Sequence, residues 1–515
     1  MPGAGRFRND SLIIAGGLLA ASLLVFALVE LLEGGSARLV TDPLGYLQSV
    51  DPAVAADRVA GAAEVVAGVL AILITVVAIV VELAANRYTH RITQLFIREP
   101  VNALVVGLFS LTTILCLWLS TLPPPDDAAR GALPGAPLLV CMALVTLCLL
   151  SLIPYLSFLF HFISPIRIIG RIRRQAELPL EPRRRGAIDQ ARAQVIEAIE
   201  ELEDIASGSP DGADRAISMA SVDALAELVE HYASKKAELP ADWFAISGGL
   251  ASDPDFVAMD TSALGGIETE GTWLEVKVLR QYLALLAGSL GRPRGVATLV
   301  TLNTRRLAES RAIPVDLSIH FFNSYLRASI TGRDARTGYY VLSQYRMLAE
   351  SLMSAGDTQA TIEIAGHLRY YGRLGYEVSQ PFLLEVVAYD VALLVEQAAG
   401  EDAAAVDTLL DLLLEVDAET GRSEHEAPIR GVRRAQIQLA TFFLERGDDE
   451  GRARRICDDM KHDPPERLEL IRNELLTETD PQYREFTDRG VNFAYLAPSR
   501  HDALDRFFGW LNAEA

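Results

Sequence analysis

A chain of 515 residues in which 68 acidic side chains outnumber 47 basic ones carries a formal net charge of −21. A surface that acidic repels phosphate backbones and excludes general nucleic-acid binding. Of the four cysteines, Cys116, Cys141 and Cys148 sit inside apolar runs and Cys457 stands alone, which suggests neither a disulfide framework nor a CxxC metal pair.

The composition changes once, near Pro165. Before it the sequence runs in long apolar blocks; after it Asp and Glu alternate with Leu, Ala, Arg and Tyr in helical rhythm. The expected fold class is all-α. A four-helix transmembrane domain occupies residues 1–165, a basic juxtamembrane linker residues 166–186, and a cytosolic α-helical domain residues 187–515. Residues 11–32, 59–83, 101–122 and 138–163 are each apolar for long enough to cross a hydrocarbon core of about 30 Å. The first run follows Arg6 and Arg8, yet it exceeds a signal-peptide core and lacks an A-x-A-like cleavage site before Asp42, so it is expected to be retained.

Positive charge sets the orientation. Arg6 and Arg8 precede the first span, Arg87, Arg91 and Arg98 lie between the second and third, and seven arginines run from Arg167 to Arg185. The other loops dilute Arg38, Arg58 and Arg130 with Asp42, Asp51, Asp57, Asp126 and Asp127. Both termini are therefore expected in the cytoplasm, with the chain multi-pass in the cytoplasmic (inner) membrane. Pro123 to Pro125 stiffen the outer turn, and Pro154 interrupts the fourth span.

The second span carries the most informative pattern. From Asp57, small or polar residues recur in steps of four and three: Gly61, Glu64, Gly68, Ala71, Thr75, Ala78, Glu82, Ala85 and Thr89. On a helix that spacing forms one stripe, with Val66, Leu70, Leu73, Val77 and Val80 on other faces. Two readings fit. Copies of the helix surround a pore, Asp57 and Glu64 making outer acidic rings and Glu82 an inner one that favour cations. Alternatively the small residues only let helices pack closely, with Glu64 and Glu82 reaching the headgroups. The helix is expected to continue toward Phe96, where His90 reads more simply as a solvated side chain than as a pH sensor.

The stretch from Ile74 to Leu115 resembles an uncharacterised bacterial family of predicted four-span membrane proteins. The resemblance implies that the second span leads through a polar and aromatic segment to an acidic residue and a third span. Asn86, Tyr88, Arg91, Phe96 and Glu99 take those places here, and Thr89-His90-Arg91 departs from the Ser-Pro-Arg expected. It supports the topology and implies no activity.

After the last span, Ile166, Ile168, Ile169 and Ile172 alternate with Arg167, Arg171, Arg173 and Arg174, a pattern that anionic headgroups attract and that the positive-inside rule also produces. Pro179 and Pro182 end that helix. From Ala187 onward nearly every segment is predicted helical, with turns at Gly208 to Gly212, Gly332, Gly356, Gly400, Gly447 and Asp463-Pro464-Pro465. Ser247 to Thr272 is expected to be a loop with short structure.

Arg433 to Cys457 resembles a tetratricopeptide hairpin, with Ala435, Leu439, Ala440 and Phe443 on one helix, Gly447 at the turn and Ala453 on the next. Comparable pairs run from Tyr339 to Leu374 and from Phe382 to Leu414, so the domain is expected either as a solenoid or as an irregular helical bundle. Tyr340, Arg346, Arg369 and Tyr371 are the candidate partner-binding residues of a Tyr- and Arg-rich stretch that either cradles an anionic ligand or peptide or packs between stacked helices. Because Glu377 to Glu419 is acidic, pairing of those arginines with a neighbouring repeat or subunit favours assembly.

Phosphate-binding, dinucleotide, HExxH, GxSxG and kinase signatures are absent from the sequence. His231, His320, His367, His425, His462 and His501 occur singly, and His320 is expected as a buried core residue. Neither catalysis, metal nor cofactor is expected. Two functions remain: a homo-oligomeric cation pore lined by the second span and regulated by the cytosolic helices, or a membrane-anchored scaffold that recruits a cytosolic protein. Membrane lipids are partners in both.

Overall fold

The computed structural model describes residues 16–25, 28–29, 49–87, 99–121, 135–162, 164–182, 187–208, 215–292, 295–417, 426–447, 449–482 and 489–514, and no strand occurs among them. The chain divides into two compact units, Met1–Gly170 and Arg171–Ala515.

In the first unit a short apolar helix, α1 (Gly16–Val25), is followed by α2 (Pro52–Arg87), α3 (Pro100–Ser120) and α4 (Ala136–Phe162). Among the described residues, three helices are long and apolar enough to cross a membrane, over Pro52–Glu82, Pro100–Ser120 and Ala136–Leu159. Residues 11–15, 26–27 and 30–32 of the first expected span, and the continuation from Tyr88 to Arg98, lie outside the described residues. Proline opens both α2 and α3, where its missing N–H costs nothing, and the Asp51 carboxylate accepts from Ala53 N–H at 2.8 Å. With 36 residues rising about 1.5 Å each, α2 is about 54 Å long, well beyond an apolar core of about 30 Å.

The three long helices all pack on one another. Val66 and Leu73 of α2, Val105 and Phe109 of α3, and Cys148 and Tyr155 of α4 form one buried cluster; Val59, Ala63, Cys116 and Cys141 form another. Two polar contacts register α3 against α4: Tyr155 Oη donates to Asn102 Oδ1 at 3.2 Å, and Cys148 Sγ to Thr112 Oγ1 at 3.3 Å. In hydrocarbon such groups have no water to turn to, so the pairs resist sliding. Leu104, Leu111, Trp118 and Leu147 remain exposed, as lipid-facing side chains should.

Next comes α5 (Pro165–Glu177), which with a 3₁₀ turn at Leu178–Leu180 fills most of the expected linker; the unit boundary falls within it. Ile168, Ile169, Ile172 and Ala176 are buried.

The second unit is a two-layered array. One layer contains α6 (Ile188–Ser207), α10 (Trp273–Gly288), α12 (Val315–Thr331), α14 (Thr358–Glu377), α16 (Ala403–Leu414) and α18 (Glu450–Asp459). The other contains α7 (Arg215–Lys235), α11 (Val296–Glu309), α13 (Ala335–Ser354), α15 (Phe382–Glu401), α17 (Glu426–Arg446) and, last, α20 (His501–Glu514). From α10 to α17 the helices alternate between layers, and along each layer a helix packs on the next one in that layer. That is the connectivity of a helical-hairpin solenoid, and the three hairpins read from sequence become α13–α14, α15–α16 and α17–α18. In the last, Ala435, Leu439, Ala440, Phe443 and Ala453 are buried, and Gly447 turns the chain at φ +74°.

The acidic composition finds local uses. Asp260, Asp334, Asp357 and Asp402 each accept a first-turn N–H as helix caps, at about 1 kcal/mol apiece. Close helix contact depends on Gly372 and Gly375 of α14, where a Cβ would stand 3.0 Å from Val387 and from Leu383 of α15.

Two expectations are corrected. The stretch Ser247–Thr272 is more ordered than a loop: it folds into α8 (Pro254–Val257) and α9 (Thr261–Glu270), because Asp253 and Asp260 supply caps at its two starts. His320 lies on the exposed side of α12, while its neighbours Ile319, Phe321 and Phe322 fill the buried face. The remaining helix, α19 (Pro465–Thr477), packs on α17.

Buried charges join distant segments. Lys277 of α10, almost fully buried, places Nζ 2.8 Å from carboxylate oxygens of Asp253 and Asp255 and 2.9 Å from Glu200. Burial alone would lower its pKa; the three carboxylates overcome that and hold it above the usual lysine value. Asp255, which burial would raise, is held below the ordinary carboxylate value by Lys277 and Arg280. Arg489 in turn grips the fully buried Asp390 of α15 and donates to the Tyr339 carbonyl at 3.2 Å, fastening the C-terminal segment to the array.

Candidate functional site

The stripe on α2 and the face that α2 packs lie on opposite sides of one helix. Asp57, Gly61, Glu64, Gly68, Ala71, Thr75, Ala78 and Glu82 are exposed, whereas Ala55, Val59, Ala63, Val66, Leu73 and Val81 are buried. At roughly 100° per residue the two sets centre about 150° apart. Apolar contact with Phe109 and Cys148 fixes the rotation of α2, and that rotation turns the acidic and small residues away from α3 and α4. The stripe is therefore not how α2 packs against these two helices. Thr75 satisfies its hydroxyl on the Ala71 carbonyl, 2.9 Å away, and so needs no partner from another helix on a desolvated surface. Ala85 and Thr89, which would extend the stripe, lie outside the residues whose side chains are described.

Along α5, Arg167 and Arg174 are exposed, and Arg171 is half-buried. Arg173 pairs with Glu177 at 3.3 Å and with Glu227 of α7, so it is engaged within the protein.

The structure does not bring the four partner-binding candidates into one site. Arg346 pairs with Glu350 and with buried Asp390, 3.2 Å away. Arg369 pairs with Glu415 at the end of α16. Tyr371 is buried, with Arg327 5.9 Å from its ring centre, and burial pushes its hydroxyl above the usual tyrosine value against the lowering effect of Arg327. These arginines pair with carboxylates of the acidic 377–419 stretch in the next hairpin, as their charge led one to expect. Tyr340 is separate and lines a recess with Asp334, Arg336 and Thr337. Sequence reasoning missed that Arg292 shares this recess, because nothing in its local spacing ties the turn after α10 to the turn after α12.

No curated protein and no solved structure matches the chain. Over residues 10–230, which run from before α1 into α7, the chain matches the family DUF2254, described as a predicted membrane protein and of unknown function.

Proposed function

We propose that this membrane protein assembles with copies of itself so that the stripes of several α2 helices surround a cation-selective pore, which the helical-hairpin domain regulates. In this reading it is multi-pass in the cytoplasmic membrane with both termini inside. One observation carries the proposal: Asp57, Glu64 and Glu82 share the face of α2 opposite its packed apolar side, together with Gly61, Gly68, Ala71 and Ala78. Ionisable groups on a membrane helix are costly unless they face water or a partner, and symmetry would convert each into a ring of negative potential. The small residues would allow close approach of neighbouring α2 helices and leave room for ions.

The fourth expected span does not weaken the case for assembly, since one four-helix protomer has too few helices to enclose an aqueous path. Mass measurement of the purified protein in detergent tests the first requirement. An oligomer is expected, and a strictly monomeric protein would remove the pore.

A second reading rests on the two-layered array itself. Helical-hairpin arrays present long surfaces to partners, so a membrane-anchored scaffold without a pore accounts for the second unit equally well. It leaves the alignment of the α2 stripe without a role. Neither reading involves catalysis.

A further inference from the structure

Where α10 turns into α11 and α12 turns into α13, the edge of the helical array holds a recess of about 340 Å³. Ser289, Gly291, Arg292 and Gly295 line it from the first turn; Asp334 and Arg336 line it from the second, and Thr298 of α11 closes one side. Its size falls within the range of small-molecule sites.

The charges in it are unusual for this chain. Carboxylates outnumber basic residues, and arginines elsewhere in the array, among them Arg346, Arg369, Arg433, Arg434 and Arg489, are paired. Arg292 and Arg336 line one recess and pair with no carboxylate among the described residues. A third guanidinium lies against the wall of the recess at Gly295: a Cβ there would stand 2.6 Å from Arg215 Nε, so glycine makes room for that side chain.

The recess also contains a carboxylate, Asp334, and its oxygens are already occupied. They accept from Gly291 N–H at 2.9 Å, Thr337 N–H at 3.0 Å and the Thr337 hydroxyl at 2.8 Å. Burial alone would raise its pKa, but these donors outweigh burial and hold it below the ordinary carboxylate value. Asp334 thus ties the two turns together; its interaction with Arg336 is through the backbone N–H, and among the described residues no ion pair joins it to the guanidinium of Arg292 or Arg336.

We propose that this recess binds a phosphate group, held by Arg215, Arg292 and Arg336. Guanidinium forks match phosphate oxygens in pairs, and three forks exceed what one carboxylate can accept. The phosphate comes from a soluble phosphorylated molecule or from a lipid headgroup; the chemistry at the recess is the same.

The test titrates the full-length protein, in uncharged detergent, with pyrophosphate by calorimetry. Saturable binding is expected, weakened by at least about tenfold when Arg292→Ala and Arg336→Ala are combined. Arg306→Ala with Arg311→Ala, exposed arginines at the other end of α11, should leave affinity within about twofold. Equal melting temperatures for both double variants show that folding is preserved. Absent binding in the wild type, or equal losses in the two double variants, overturns the proposal. The source is read in lipid nanodiscs: a headgroup ligand makes phosphatidylglycerol suppress pyrophosphate binding relative to phosphatidylcholine alone, and a soluble ligand leaves the two equal.

Discussion

Glu64 and Val66 stand two residues apart on α2 and face opposite ways: Val66 is fully buried against the bundle and Glu64 is exposed. The contrast predicts opposite sensitivities. Val66→Ala should destabilise the helix bundle by about 1–3 kcal/mol through the lost contacts and cavity, seen as a lower Tm in detergent. Glu64→Gln should leave Tm nearly unchanged, within about 0.5 kcal/mol. A large loss on Glu64→Gln would mean that the stripe holds the fold together.

Asp390 sits between Arg346 and Arg489, fully buried. Asp390→Ala leaves Arg489 buried without its carboxylate and Arg346 with Glu350 alone, and should cost about 3–5 kcal/mol. It should also loosen the C-terminal segment, which hydrogen exchange of α20 would detect. Unchanged protection of α20 would show that the Asp390–Arg489 pair does not fasten that segment.

The two-layered packing is tested at Gly372, where the nearest atoms of Val387 leave no room for a larger side chain. Gly372→Leu should cost about 1–3 kcal/mol by overpacking, while Gly366→Leu on the same helix, with open space around it, should be tolerated. Denaturant unfolding distinguishes them, and equal stability of the two variants would contradict the α14–α15 contact.

Acidity should act in two opposed steps. Burial raises the pKa of Glu275 above the usual value despite Lys236, 2.6 Å away, so its charged form is disfavoured in the folded chain. Its contribution to stability is full below the unfolded carboxylate value and falls as pH rises toward the folded one. Asp255 behaves in reverse: its pKa is depressed, so its contribution is present above the unfolded value and is lost as pH falls through the folded one. Stability should rise on moderate acidification from neutrality and collapse at lower pH. Glu275→Gln should flatten the rise, and a melting series across pH in both proteins checks it.

Local patterns made the membrane helices and hairpins legible. Apolar runs need no partner to be recognised, and Ala435, Phe443, Gly447 and Ala453 announce a hairpin within about twenty-five residues. The period of the α2 stripe was equally local. Its direction was not, because only contact between Val66 and the α3–α4 side chains turns the stripe outward. Long-range pairs explain the other gaps. Arg346 and Arg369 looked like ligand groups until their partners, Asp390 and Glu415, came beside them from the next hairpin. Lys277 gave no signal at all, since its carboxylates come from Glu200 and from Asp253 and Asp255. His320 was misplaced because a strongly apolar segment such as Ile319 to Phe322 does not reveal which of its positions points outward.

The central claim, that the outward stripe of α2 lines a cation path, is tested most directly by the reversal potential of the purified protein in planar bilayers under a salt gradient. Wild-type protein should show a cation-selective reversal potential, and Glu64→Gln combined with Glu82→Gln should move it toward zero while the oligomer stays intact. A reversal potential unchanged by both substitutions, or no conductance from the intact oligomer, would contradict it.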